Sequence, residues 1–171
     1  GTQKVTITHN YAGARDPGDN TTNTAAGISY GNGADVEFVG NGQITVTFDQ
    51  PVQNVQFSLY DIDRNQRAVV TALNGVVPVV ITNMIRVSGT TLTIVGAGTP
   101  TATASANNTT VANNNTNAAV NVDIAGPVTS FTITITNTGT CSSSCGTGGN
   151  ENGAFWLSDI IGCYTGNFPM N

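Results

Sequence analysis

Ionisable side chains are scarce in this chain of 171 residues: Asp, Glu, Lys and Arg make up 9% of it, against about 25% in an ordinary globular domain. Lys4 is the sole lysine, His9 the sole histidine, and the formal net charge is -5. That inventory excludes a nucleic-acid partner, because phosphate binding needs a surface of Lys and Arg and only five such residues exist. It also argues against an enzyme. A Ser-His-Asp triad needs a histidine oriented by an acid and a nucleophile held in a strained turn. Here His9 stands at a strand end in "THN", and no G-x-S-x-G occurs. Ten acidic residues are present, but none sits in the recognisable two-carboxylate setting of a glycosidase. Long apolar runs are missing as well, so no segment approaches the roughly 18 to 20 residues of a membrane-spanning helix, and residues 1–30 are not expected to act as a signal peptide.

Helical periodicity is the next absence. No stretch of about eleven residues carries apolar positions at i, i+3, i+4 and i+7. Threonine and asparagine instead supply roughly a quarter of the chain, far above average usage. Short alternating runs recur: "KVTIT" (4–8), "ADVEFVG" (34–40), "QITVTF" (43–48), "VQNVQFSLYDID" (52–63), "RAVVTAL" (67–73), "VPVVIT" (77–82), "IRVSG" (85–89), "TLTIVG" (91–96), "AVNVDIAG" (119–126), "SFTITITN" (130–137) and "AFWLSDIIGC" (154–163). Asn-Gly, Gly-Asn, Gly-Thr and Gly-Pro pairs punctuate them. About ten strands at this spacing predict an all-β chain, an antiparallel two-sheet β-sandwich of jelly-roll type. Residues 1–171 are expected to form a single domain, as a mature fragment or a piece excised from a larger protein. Two segments, 11–27 and 98–119, read as irregular excursions rich in small polar residues.

Three cysteines, Cys141, Cys145 and Cys163, sit in and after a Ser/Gly-rich loop. Zinc wants four ligands and the one histidine is distant, so a single disulfide in an exported protein is expected. The pairing is open: either within 141–145 or between Cys145 and Cys163.

The most informative acids are Asp61 and Asp63. By alternation Val55, Phe57, Leu59, Asp61 and Asp63 share one strand face, so an apolar stripe runs into two carboxylates. Burying a carboxylate is costly without compensation. Two readings follow: the acids cap the turn "DRNQ" and pair with Arg67, or they hold a hard cation such as a structural Ca2+, which takes six to eight oxygens. In the second case Asp16, Asp19 and Asp159 are the further candidate ligands. Tyr11, Tyr30, Tyr60 and Tyr164, with Asn20 in the first irregular segment, are candidate contacts for a sugar ring, since flat apolar faces suit aromatic stacking.

The segments "ITVTFDQPVQNVQFSLYDID" (44–63) and "GAFWLSDIIGCYTGNFP" (153–169) resemble parts of β-sandwich domains in large secreted and cell-surface proteins of the Bacteroidota. That resemblance implies an exported, extracellular or surface-attached domain, adhesin-like or carbohydrate-binding, and its Asp-x-Asp falls on Asp61 and Asp63. Where such domains often continue with further acids, this chain has "RNQR". The expected function is non-catalytic binding or adhesion to polysaccharide or another cell-surface component. The alternative is a building block of an extracellular filament or sheath, partnered by other copies of itself through an exposed sheet edge.

Overall fold

Alternation at a period of two decides which way side chains point. Ile44, Val46 and Phe48 are buried, while Gln43, Thr45 and Thr47 between them face outward. The same pattern repeats in Ala68, Val70 and Ala72 and again in Phe131, Ile133 and Ile135. The computed structural model describes residues 3–11, 13–15, 36–39, 41–109, 111, 115–137 and 154–164. In chain order its strands are β1 (Val5–His9), β2 (Gly13–Arg15), β3 (Val36–Val39), β4 (Gly42–Tyr60), β5 (Gln66–Asn74), β6 (Val77–Val79) and β7 (Ile81–Arg86). There follow β8 (Leu92–Val95), β9 (Thr101–Ala106), a single 3-10 turn (Thr116–Ala118), β10 (Val120–Ile124), β11 (Val128–Asn137), β12 (Ala154–Leu157) and β13 (Ile161–Tyr164).

The 19-residue β4 organises the rest. Along one side of it, β10 and β11 run antiparallel as one nearly continuous strand, from Val120 opposite Leu59 to Ile135 opposite Gly42. Along the other side lie β1, β13 and β12, again all antiparallel. Outside this spine β7 pairs with β10, β5, β9 and β8 follow β11, and β3 and β2 follow β12. A bridge between Ile81 and Thr99 ties β7 to the approach of β9. The result is a single antiparallel sheet of 13 strands, nearly barrel-shaped.

The all-β, antiparallel expectation therefore holds. The hydrogen bonds do not divide the strands into the two expected sheets, because the "PVQN" punctuation does not end a strand. Instead the chain bends and continues. Asn54 adopts φ 51° and donates its N–H to the carbonyl of Ala125 at 2.9 Å. Opposite it, the register shifts between Val128 and Ser130, and Gly126 adopts φ 87°. Bends and bulges of this kind let a strand turn a corner while remaining paired.

Two other expectations are corrected. Residues 101–106, expected to be irregular, form β9, whose alternate residues Ala102 and Ala104 are buried against the core. The run 154–163, expected as one strand, is β12 and β13 separated at 158–160. Inside the barrel Phe131 stacks on Phe57, centroids 4.8 Å apart and planes 10° from parallel, and meets Phe48 at 6.1 Å. Small inward residues of β5 and β9 leave room for these rings.

Candidate functional site

The Asp-x-Asp lies where β4 leaves the sheet. Residues 57–63 are all buried, so alternation stops there: Tyr60, Trp156 and Ala119 form a second small core on the far face. Asp61 is 7% exposed and adopts φ 62°. Asp63, 6% exposed, accepts the N–H of Val111 on Oδ2 at 2.8 Å, and its own N–H donates to Gln66 Oε1 at 3.0 Å. Arg64 and Asn65, at φ 49° and 65°, make the tight connection into β5, closed by Gln66 N–H to Asp63 C=O at 2.8 Å. Positive φ at both central residues is the signature of a type I′ turn, here joining two strands that are not paired with each other.

Burial raises the Asp63 carboxyl above the ordinary carboxylate value, an effect the Val111 hydrogen bond and the Arg64 charge partly offset. The native state then holds this proton more tightly than the unfolded chain does. Its contribution favours folding at acid pH and is lost as pH rises from the ordinary value through the raised one. Relative to the wild type, Asp63→Asn should therefore gain stability as pH rises from acid to neutral. Urea melts at both ends of that range test this; a difference independent of pH contradicts it.

Of the expected cation ligands, the three that the structure describes, Asp61, Asp63 and Asp159, do not gather around one point. Asp159 is exposed and lines a groove beside β1, and Asp16 and Asp19 lie outside the described residues. Among the described residues no three His, Cys, Asp or Glu side chains come together around one point.

The aromatic platform is corrected in part. Tyr60 is fully buried and stacks on Trp156, centroids 6.2 Å apart. Tyr11 is 6% exposed and packs on Phe155 at 5.6 Å, and its hydroxyl is held well above the usual phenol range by burial. A Cβ at Gly42 would lie 2.6 Å from the Tyr11 ring, so the glycine makes room for it. Neither tyrosine offers a face to a sugar, because Phe155 and Trp156 of β12 pack against what alternation alone would leave open. Tyr30 and Asn20 fall outside the described residues, as do Cys141 and Cys145. Cys163 is a free, exposed thiol on β13.

Two surfaces remain. The first is the groove, about 370 Å3, lined by Val5, Ile7, Phe48, Val52, Ile160 and Tyr164 among others. The second is the outward face of the sheet. There the register aligns Thr8, Thr45, Thr132, Thr71 and Thr101, one from each of five consecutive strands, directly opposite one another. The row on one side is Thr6, Thr47, Ser130 and Leu73; on the other it is Gln43, Thr134, Val69, Thr103 and Val95. No ionisable side chain enters these three rows. Lys4 and Asp49 flank one end of the face and Arg67 the other. The T-x-T spacing in "KVTIT", "ITVTF" and "SFTITIT" was visible in the sequence, but the cross-strand alignment was not.

No protein-family model matches the chain, and no curated protein or solved structure matches it either. What fold and surface define is a barrel-like all-β domain with a charge-free, hydroxyl-bearing face.

Proposed function

We propose that this chain is a non-catalytic, extracellular binding or adhesion domain that recognises a neutral polysaccharide or similar surface component. We read its bent, nearly closed sheet as a flattened jelly-roll sandwich of two layers. The observation that carries the functional reading is the outward face: three adjacent cross-strand rows of Thr, Ser, Gln and aliphatic side chains without a charge among them. Such a surface offers hydroxyl donors and acceptors to sugar hydroxyls and apolar patches to sugar C–H faces. It offers nothing to a polyelectrolyte. The resemblance of residues 44–63 and 153–169 to segments of secreted Bacteroidota proteins supports an extracellular setting. A glycan array probed at low and high salt tests the function. Binding to neutral glycans with little salt dependence is expected, because few charges take part. Binding confined to charged glycans and lost at high salt overturns it.

A further inference from the structure

Two apolar regions of the surface differ in shape. The first projects. β5 and β6 are joined by a two-residue turn, Gly75 and Val76, between the facing residues Asn74 and Val77. At this tip Val76 is 91% exposed, and Leu73, Val77, Pro78 and Val80 are exposed around it. The tip is braced from below: Gly75 N–H donates to Thr129 Oγ1 at 2.8 Å, and that hydroxyl donates to the Leu73 carbonyl at 3.2 Å. No ionisable residue occurs between Arg67 and Arg86. A braced aliphatic turn is pre-organised for contact, since it has little freedom left to lose on binding.

The second region is hollow. Val5 and Ile7 stand directly opposite Phe48 and Val46, so they point to the inner side of the sheet. Phe48 and Val46 are buried there, yet Val5 and Ile7 are half exposed, which leaves the inner layer open at β1. The opening is the groove of about 370 Å3, walled also by Leu157, Ile160 and Tyr164, with Asp159 its one charged lining residue. Gln3 lines it too. Its Nε2 donates to the carbonyls of Lys4 and Gln50, both at 3.3 Å, while its Oε1 is buried without a partner among the described residues. A buried carbonyl oxygen in that state calls for an N–H donor, which a peptide supplies.

We propose that the groove of one copy of this chain receives the β5–β6 tip of a second copy, joining molecules head to tail. Charge selects this occupant. Copies of net charge -5 repel one another, and approach is least opposed where an uncharged tip meets a groove whose lone carboxylate, Asp159, then faces no second acid. Size agrees: an apolar cavity of about 150 Å3 holds a benzene ring, so the groove has room for the side chains of Val76 and Val77. Chemistry agrees as well, because the turn brings peptide N–H groups and the Asn74 amide to Gln3 Oε1. A copy does not fill its own groove. β4 and β11 stand between β1 and β5, and none of residues 73–80 lines the groove. Tip and groove are different patches, so each added copy leaves one of each free and the contact propagates.

The test is sedimentation velocity of the whole chain from roughly 10 μM to 1 mM, the range in which a contact below standard interface size assembles. The mean mass should climb past that of a dimer. The tip variant, Val76→Asp with Val77→Asp, changes two exposed side chains and should stay monomeric with its melting temperature held. The groove variant Ile7→Asp should stay monomeric too. If it unfolds, Tyr164→Ala takes its place and should weaken association about fivefold or more. Mixed in equal amounts, the tip and groove variants should form a one-to-one dimer and nothing larger, because each keeps the half that the other has lost. A wild type that stays monomeric throughout the range overturns the proposal. So does a groove variant that associates as the wild type does, which assigns the contact to the tip alone. If the wild type is monomeric and Phe168→Asp assembles, residues 165–171 fill the groove, and the second copy is overturned as its occupant.

Discussion

Phe131→Ala is expected to lower the free energy of unfolding by roughly 3 to 5 kcal/mol, the usual cost of emptying a core aromatic site. Phe131 is 1% exposed, stacks on Phe57 of β4 and meets Phe48 of the same strand beyond the bend. It therefore fills space against both halves of β4, and Ala72, its register partner on β5, is too short to close the cavity. Against a typical total of about 5 to 15 kcal/mol, the loss leaves a marginal fold. Urea unfolding followed by Trp156 fluorescence measures it. A change under about 1 kcal/mol means that Phe131 does not hold the two halves together.

Gly126→Ala is expected to cost roughly 2 to 4 kcal/mol, from two additive sources. Its φ of 87° is a region that side chains disfavour, and a Cβ there would stand 2.7 Å from the Val52 carbonyl oxygen. Gly98 supplies the control. It shares the unusual backbone, at φ 83°, but an added Cβ meets nothing within 4 Å. Gly98→Ala should accordingly cost only about 1 kcal/mol. Comparable losses in the two variants, measured by the same melts, show that close approach to Val52 is not what requires Gly126.

The class of fold was legible because alternation is a local signal: "QITVTF", "RAVVTAL" and "SFTITITN" each declare one apolar face, and each forms a strand with that face buried. Connectivity was less legible. Pro51 and Asn54 look like turn residues, yet both stand within β4, since a bent strand accommodates them. "TATASA" escaped notice because its inward residues are alanines, too weakly apolar to declare a face. At the Asp-x-Asp the pattern identified two buried acids correctly but not what satisfies Asp63. The N–H of Val111 arrives from 48 residues away. Tyr60 misled for a related reason: Trp156, its stacking partner, lies on a strand whose position only the assembled sheet reveals. The threonine row is a property of register, and register between strands as distant as β1 and β9 is written nowhere in a local window.

Because β4 is paired on both sides through most of its length, the two ends of the barrel have no separable strands between them. Neither end can melt while the other persists without tearing that shared backbone. Amide exchange from β4 and β11 should thus report the global opening of the molecule, with β1, whose five residues are all exposed, fraying first.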